Sequence, residues 1–320
     1  MSMEELAGAA AARFGLSADA TAQLCNVSEN HTYRVDDPAT GRRYALRLHR
    51  PGYRTADQIE SELRWLDALR SDGAVDTCVP VRAPGGERVL TVGDRHVSLF
   101  EWLPGREPDP DGGEVIDGFR MLGSVSARMH AHARAWSPPA GFDRPDWDYE
   151  HTLGAAGHWG AWQDGLGMGA EEREQLGRLD AVIARRLEAF GKGLERFGLA
   201  HADIRLANLL VDEDGHVRVI DFDDSGFTWF MYDFATTVSF MEDHPRVPEL
   251  RDAWLEGYRS VAPLDAADEA ELDTFVMLRR LLLVAWIGSH HAFATEAAEL
   301  GAGFTAGTCA LAERYLSTHS

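Results

Sequence analysis

The sequence predicts an α+β fold in which a small antiparallel-sheet part precedes a larger, mainly helical part. Up to about residue 102, short β-type segments alternate with turn signals such as Asp37-Pro-Ala-Thr-Gly41. Beyond residue 113, apolar residues recur at helical spacing. The segment between them, residues 104–113, is rich in Pro, Gly and Asp. We therefore expect two lobes, residues 1–102 and residues 103–320.

In the first lobe, an Ala-rich helix is expected over residues 4–14. Strands are expected at three places, residues 24–27, 32–35 and 43–49. An amphipathic helix follows, marked by Ile59, Leu63, Leu66 and Leu69. A hairpin with strands at 89–92 and 96–101 turns at Gly93-Asp94. These elements make the first lobe rich in antiparallel strands.

In the second lobe, two amphipathic helices are predicted by apolar residues at helical spacing. The first is marked by Val115, Phe119, Leu122, Val125 and Met129, and the second by Leu176, Leu179, Ile183, Leu187 and Phe190. Short strands near 209–211 and 217–220 are joined by a turn at Asp214-Gly215. Helices are expected to dominate from Asp233 to the end of the chain.

The chain is strongly acidic, with 31 Lys and Arg against 52 Asp and Glu and a net charge of -21. This charge argues against nucleic acid and anionic membranes as partners. It favours a cationic or neutral partner, although a solvated acidic surface explains it equally well. The three cysteines form no pairing or metal pattern, and neither a signal peptide nor a membrane-spanning run is evident. We therefore expect a cytoplasmic protein.

Two motifs carry the predicted chemistry, His201-x-Asp203-x-Arg205-x-x-Asn208 and Ile220-Asp221-Phe222. An Asp on a short loop can accept a proton from an attacking hydroxyl, and Asn and Asp oxygens are ligands that Mg²⁺ prefers. The spacing predicts phosphoryl transfer with Asp203 as the catalytic base. Asn208 and Asp221 are then the expected magnesium ligands. For Asp203 alone a turn cap would be the better explanation, but the fixed offsets to His201 and Asn208 and the presence of Asp221 favour the catalytic role.

Other polar residues near these motifs leave alternatives open. His201 is expected to fix the loop through a hydrogen bond rather than to act as an acid or base. Arg205 could offset the charge of the transferring phosphoryl group, or it could be a surface residue that pairs with a carboxylate. Asp223 and Asp224 could bind a cationic acceptor or influence the metal site, or they could be solvated turn residues.

Together these motifs resemble the aminoglycoside phosphotransferase and choline kinase superfamily, whose members share the protein-kinase fold. Phe230-x-Tyr232-Asp233-Phe234-Ala235 is similar to the segment in which an Asp steadies the catalytic loop of these enzymes. In the first lobe, residues 28–33 and 49–59 resemble bacterial stress response kinases. The resemblance implies a two-lobed, protein-kinase-like fold, with ATP and Mg²⁺ as cofactors.

The resemblance also assigns nucleotide contacts in the first lobe. The phosphate loop would contribute Ser28, Glu29 and Asn30, although it lacks the Gly-rich pattern of protein kinases. Arg47 stands where those kinases carry a Lys, and a guanidinium can bind phosphate through two donors. Glu62 is its expected ion-pair partner, and Glu60 is the competitor. The backbone groups of Glu101 and Leu103, in the hinge between the two lobes, would form hydrogen bonds with the edge of the adenine ring.

The resemblance implies a small hydroxylated acceptor, either an antibiotic such as an aminoglycoside or an amino-alcohol metabolite. The connection from Asp221 to Asp233 is short and no A-P-E signature follows it, which argues against regulated protein phosphorylation. The alternative is a Ser/Thr protein kinase, because of the first-lobe segments. A nucleotide-binding pseudokinase is a third interpretation, and the missing Lys is its only support.

Overall fold

A computed structural model of the chain describes residues 2–27, 30–109 and 113–319. Two predicted nucleotide-binding residues, Ser28 and Glu29, lie outside the described residues, as do residues 110–112 of the predicted lobe boundary. The chain forms two compact units. The first comprises residues 1–106, 138–144 and 209–223, and the second comprises 107–137, 145–208 and 224–320. The simpler division into residues 1–102 and 103–320 stays a prediction.

The first unit is built on a five-stranded antiparallel sheet in the order β1-β2-β3-β6-β5. Its strands are β1 (Thr21–Val27), β2 (His31–Asp37), β3 (Arg42–Leu48), β5 (Val89–Val92) and β6 (Arg95–Glu101). Alternate apolar residues such as Val35, Leu46 and Leu99 are fully buried, which gives the sheet one core face. Helix α1 (Met3–Arg13) belongs to the same apolar cluster through Leu6 and Ala10.

Helix α2 (Ala56–Ser71) follows the central strand β3. It begins at Thr55, whose hydroxyl accepts a hydrogen bond from the Gln58 N–H, while the Gln58 side chain accepts one from the Thr55 N–H. This capping box satisfies two backbone donors that the helix start would otherwise leave unpaired. The buried face of α2 carries Leu63 and Leu66, together with one carboxylate, that of Glu62. The buried face of α2 therefore carries a carboxylate, a group that is rarely buried in proteins without a charged partner.

A second, three-stranded sheet in the first unit contains the hairpin of β8 (Leu209–Val211) and β9 (Val217–Val219). Strand β4 (Asp76–Thr77) pairs with β9 in parallel, and the Thr77 hydroxyl donates to the Val219 carbonyl at 2.6 Å. Strand β9 ends at Val219, one residue earlier than the sequence predicts. Asp221 lies just beyond it and adopts a left-handed backbone conformation with φ 64°.

The second unit is mainly helical. Its helices are α3 (Val115–Ala135), α4 (Tyr149–Thr152), α5 (Ala170–Phe190), α6 (Tyr232–Thr237), α7 (Val247–Arg259), α8 (Ala266–Ala270), α9 (Leu272–His290) and α10 (Thr295–His319), the last interrupted at Gly301. Helices α3 and α7 approach each other closely. A Cβ at Gly123 would lie 1.9 Å from the Trp254 carbonyl oxygen, and one at Gly257 would lie 1.9 Å from that of Arg120. The two helices therefore pack backbone against backbone.

Two short strands of the second unit were not predicted, β7 (Phe197–Ala200) and β10 (Gly226–Trp229). They pair antiparallel, with Leu199 opposite Phe227. Strand β7 ends immediately before His201, so this pair fixes where the predicted catalytic loop begins. No helix in the described parts of the chain is long and apolar enough to cross a membrane. The predicted α+β class, with an antiparallel sheet in the N-terminal part and helices in the C-terminal part, is confirmed.

Candidate active site

The loop that follows β7 is anchored by Asp233, near the start of α6. Its carboxylate accepts the N–H of Ala202 at 2.8 Å and that of His201 at 3.4 Å. Ala202 has φ 64°, a left-handed conformation that is uncommon for a residue other than Gly. The His201 ring accepts the Asp203 N–H at 3.4 Å, so it fixes the loop as the sequence predicts. Hydrogen bonds from the backbone N–H groups of residues 201, 202 and 203 thus stabilise the strained conformation of Ala202.

Asp233 is itself held by a fully buried network. His130 of α3 contacts it at 2.9 Å through Nε2, and the other ring nitrogen lies 3.2 Å from the Tyr258 hydroxyl. Burial lowers the pKa of His130, although the hydrogen bond and the charge of Asp233 oppose this effect. A neutral ring donates from Nε2 to the carboxylate and accepts at Nδ1 from Tyr258. The network therefore links the loop to α3 and α7.

The Asp203 carboxylate contacts two arginines through different oxygens. Arg279 of α9 donates from Nη2 to Oδ1 at 2.6 Å, and Arg205 Nε lies 3.7 Å from Oδ2. Arg205 also lies 3.5 Å from Glu296 and places its guanidinium carbon 5.6 Å from the Phe240 ring centroid. The structure thus gives Arg205 carboxylate partners, and its predicted contact with phosphate stays a prediction.

Asn208 ends a short 3₁₀ turn (Leu206–Asn208) in the same loop. Its side-chain nitrogen donates to the Asp203 carbonyl at 2.7 Å. Because this bond uses the nitrogen, the oxygen is the atom of the amide that can ligate a metal ion. The second unit therefore brings together three predicted site residues, Asp203, Arg205 and Asn208.

Arg47 occupies the centre of an ion-pair cluster in the first unit. Its Nη1 contacts Glu62 at 2.8 Å, and its Nη2 contacts Asp221 at 3.2 Å. Glu60 pairs with Arg88 instead, so the structure decides between the two candidate partners. Burial alone would lower the pKa of Arg47, but the charges of Glu62, Asp221 and Asp223 raise it above its usual range. The guanidinium is charged and held by separate carboxylates.

Asp223 is a buried carboxylate rather than a solvated turn residue. The Asn30 amide donates to it at 2.8 Å, and His49 Nδ1 lies 3.7 Å from its other oxygen. Burial would raise the pKa of Asp223, but the contact with His49 and the charges of Arg47, His49 and Arg54 hold it well below its usual range. Asn30 also accepts the Arg50 N–H at 3.0 Å. Asp223 thus positions a residue of the predicted phosphate loop.

The remaining predicted residues of the first unit lie at its strand ends. The Asp221 side chain is 48% exposed, which leaves carboxylate surface for a ligand besides Arg47. Glu101 ends β6 and donates its N–H to the Val79 carbonyl at 2.9 Å, so its carbonyl is the group available to an adenine edge. Leu103 is half-buried two residues later. The nucleotide-binding roles of these residues stay predictions.

Within the described residues, one group of three possible metal ligands comes together outside the predicted site. Asp212, Asp214 and His216 lie in the turn between β8 and β9. The pKa of Asp212 is lowered to about 2, mainly by the hydrogen bond from Arg218 and also by bonds from backbone N–H groups of the turn. These contacts explain the group as an ordinary acidic turn.

Sequence reasoning missed Arg279, the closest charged partner of Asp203. The two residues are 76 positions apart, and no spacing connects them. One signal was available, because Arg279 and Arg280 are two charges in a helix whose other residues are mostly apolar. Charged residues of this kind are rarely buried unless they are paired. The sequence does not indicate which carboxylate would pair with them.

Comparisons with known proteins show the family of the chain. Residues 23–273 match the model of the phosphotransferase enzyme family. Amicoumacin kinase of Bacillus subtilis (strain 168) is 26% identical over 297 residues, which cover 88% of this chain and 83% of that protein. A microcompartment-associated aminopropanol kinase is 48% identical, with a TM-score of 0.91 over 98% of both chains.

A solved structure of the amicoumacin kinase hAmiN, in complex with AMP-PNP, Ca²⁺ and Ami, is 20% identical and superposes with a TM-score of 0.79. It covers 97% of this chain and 94% of its own, and at this identity it supports the fold. The family match extends from the first sheet through α8 and includes both predicted motifs. The chain belongs to the phosphotransferase enzyme family.

Proposed function

We propose that the chain transfers the γ-phosphoryl group of ATP to the hydroxyl of a small amino alcohol, with Mg²⁺ as the metal ion. The observation that carries the proposal is the loop that holds Asp203 at the end of β7, fixed by the Asp233 carboxylate. Aminopropanol kinase, 48% identical along almost the whole chain, supports an amino alcohol as the acceptor. The net charge of -21 favours a cationic acceptor.

In this mechanism Asp203 orients the acceptor hydroxyl and takes its proton. The hydroxyl oxygen bonds to the γ-phosphorus while the bond to the β-phosphate oxygen breaks, and ADP leaves with that electron pair. Arg205, two residues after the base, offsets charge on the phosphoryl group as it transfers. Asp203 Oδ2 is the oxygen that accepts the proton, because Oδ1 is already bonded to Arg279.

The nucleotide is proposed to contact the first unit. Arg47, held by Glu62, places the phosphates, with Ser28, Glu29 and Asn30 at the phosphate loop. The Glu101 carbonyl and the Leu103 backbone read the adenine edge. A guanidinium that already bonds two carboxylates still has donors to offer, since it carries five N–H groups. This capacity supports Arg47 in the place of the usual Lys.

The metal is proposed to bind Asn208 and Asp221. Both offer hard oxygen donors, which fit Mg²⁺ better than a soft metal. The Asn208 nitrogen is committed to the Asp203 carbonyl, which leaves the amide oxygen as the donor. Bound there, the ion would neutralise charge on the phosphates. The amicoumacin kinase complex with AMP-PNP and Ca²⁺ supports the use of a nucleotide and a divalent ion.

An antibiotic is the second candidate acceptor, because a relative matched over 88% of this chain is an amicoumacin kinase. A protein Ser/Thr kinase is not favoured, since the matched relatives act on small molecules. The intact Asp203, Asn208 and Asp221 argue against a pseudokinase.

A panel of acceptors tests the proposal. The protein is incubated with ATP, Mg²⁺ and one acceptor at a time: amino alcohols including aminopropanol, aminoglycosides, amicoumacin and a protein substrate. Mass spectrometry then detects the gain of one phosphoryl group. We expect the amino alcohols to give the highest kcat/KM, and we expect Asp203→Ala to lower kcat by about 10²–10⁴-fold, the contribution of a general base, with a small residual rate left. Turnover only with an antibiotic, or only with protein, would replace the proposed acceptor class.

A further inference from the structure

The pairing of Arg279 with Asp203 is a tertiary contact that no motif contains. Arg279 is 4% exposed and donates from Nη2 to Asp203 Oδ1 at 2.6 Å. Arg205 lies on the other side, 3.7 Å from Oδ2. The two carboxylate oxygens therefore face different surroundings. Only one of them is committed to a short bond with a buried cation.

The Arg279 guanidinium is itself fixed from several directions. Its Nε donates to the Ser239 hydroxyl at 3.2 Å, and its Nη1 donates to the Tyr232 hydroxyl at 3.3 Å. Its carbon lies 5.4 Å from the Trp159 ring centroid, within the range of a cation–π interaction. Burial alone would lower the pKa of Arg279, but the nearby Tyr232, Asp203 and Asp224 raise it above its usual range. The donor that meets Asp203 is thus charged and rigidly placed.

We propose that Arg279 is a positioning residue that fixes the orientation of the Asp203 carboxylate so that Oδ2 meets the acceptor hydroxyl. This inference rests on the proposed function, in which Asp203 takes the hydroxyl proton. A carboxylate on a free side chain rotates about χ2, and rotation exchanges its two oxygens. A short bond to a fixed guanidinium removes that freedom and keeps the base in its reactive geometry. Arg279 retains all its protons throughout the reaction.

Arg280 provides a matched control on the same helix. It is also 4% exposed and pairs with a buried carboxylate, that of Glu242. Its Nε donates to the Thr308 hydroxyl at 2.9 Å, and its carbon lies 3.5 Å from the Phe304 ring centroid. None of these partners belongs to the loop of residues 201–208. Arg280 therefore has the burial and charge of Arg279 without its contact to the catalytic base.

The test compares Arg279→Met with Arg280→Met at saturating ATP and acceptor. For Arg279→Met we expect kcat to fall about 100-fold, the loss that a misplacement of about 1 Å causes. Its KM for ATP should stay within about twofold of the wild type, because the lost interaction acts on the chemical step. Arg280→Met should lower Tm while kcat at 25 °C stays within about threefold. Circular dichroism and Tm report whether each variant folds.

Two further variants separate positioning from a general structural role. Arg279→Lys keeps a cation near Asp203 and should recover part of the kcat lost in Arg279→Met. Combined with Asp203→Ala, Arg279→Met should cause less than about a twofold further loss, because residues that act as a unit are not additive. Should Arg279→Met fail to fold, Ser239→Ala removes one anchor of the guanidinium and should lower kcat about 3–10-fold with little change in Tm.

The outcomes distinguish the inference from the function on which it rests. Full activity in Asp203→Ala would overturn the proposed function itself. A large loss of kcat in Asp203→Ala together with near wild-type kcat in Arg279→Met, or in Ser239→Ala if that variant is the one that folds, would overturn only the inference. So would equal losses of kcat in Arg279→Met and Arg280→Met, or losses that simply multiply in the double variant.

Discussion

Arg47 shows how a departure from the kinase pattern can be accommodated at a single residue. Two of its nitrogens reach two different carboxylates, those of Glu62 and Asp221, at 2.8 and 3.2 Å. A Lys ammonium at this position would act as a single point charge and would not present two separate donors in a fixed plane. The guanidinium can therefore hold Glu62 and Asp221 at the same time.

Replacement of Arg47 should affect stability and nucleotide binding to different degrees. Arg47→Met leaves Glu62, which is 1% exposed, without its cation, and should lower the free energy of unfolding by about 3–5 kcal/mol. Arg47→Lys keeps the charge, so it should cost less stability but raise the KM for ATP. Urea denaturation and initial-rate kinetics measure the two effects.

Arg34→Met is the control for the Arg47 variants, because Arg34 pairs with Asp36 at 2.8 Å on the surface of the same sheet. Exposed pairs contribute about 0–1 kcal/mol, so this variant should unfold almost as the wild type does. A similar loss of unfolding free energy in Arg34→Met and Arg47→Met would show that the buried position of the Arg47–Glu62 ion pair does not increase its contribution to stability.

His130 should make stability depend on pH in a defined window. Its pKa in the folded chain lies below the usual value of 6.5, because burial outweighs the charge of Asp233, and Arg134 acts in the same direction as burial. The unfolded chain therefore binds the proton first as the pH falls. The contribution of His130 is fully present above pH 6.5 and is lost progressively below it.

Measurements of the unfolding free energy between about pH 7.5 and pH 5.5 should therefore show a shallower decline in His130→Gln than in the wild type. His291→Gln, at an exposed position, should keep the wild-type slope. A wild-type slope in His130→Gln would mean that His130 becomes protonated in the folded chain. The pairing with Asp233 would then be ionic.

At the scale of elements, the contact between α3 and α7 depends on the absence of side chains. A Cβ at Gly123 would lie 1.9 Å from the Trp254 carbonyl oxygen, so Gly123→Ala must push the helices apart. We expect a loss of about 2–3 kcal/mol or more in the free energy of unfolding, measured by urea denaturation. Because α3 carries His130, the kcat should fall with it.

Gly177→Ala is the matched control for the packing of α3 against α7. Gly177 also lies inside a helix, α5, but no atom comes within 4 Å of a Cβ built there. Alanine should stabilise that helix by about 0.5–1 kcal/mol, since it loses less backbone entropy on folding. Destabilisation by both substitutions would contradict a specific close approach at Gly123.

Whether an element could be predicted depends on how far apart in the sequence the residues that form it lie. The helices α2 and α3 and the hairpin of β5 and β6 were predicted, because apolar spacing and turn residues are local signals. The pair β7 and β10 was missed, because each strand has four residues and gains its partner from 26 or more positions away. Arg279 was missed for the same reason, whereas the residues 201–208 form a local motif.

At the scale of the whole molecule, the net charge of -21 should act on the acceptor. Negative potential raises the encounter rate of a cation and leaves a neutral molecule unaffected. The ratio of kcat/KM for aminopropanol to that for propanediol should therefore fall about tenfold between about 0.01 M and 1 M salt, as the screening length drops from about 30 Å to 3 Å. Effects of salt on ATP binding cancel in this ratio. A constant ratio would show that the acidic residues only solvate the protein.

The left-handed backbone at Ala202 restricts which sequences can carry this loop during evolution. At φ 64° a β-branched residue is strongly disfavoured, whereas Gly adopts the angle without cost. Functional relatives can therefore drift at this position towards Gly or Asn and scarcely towards Val or Ile. A motif search that permits any residue between His201 and Asp203 will therefore include chains whose loop cannot adopt this backbone conformation. A search restricted to residues that tolerate a φ near 64° will exclude those chains.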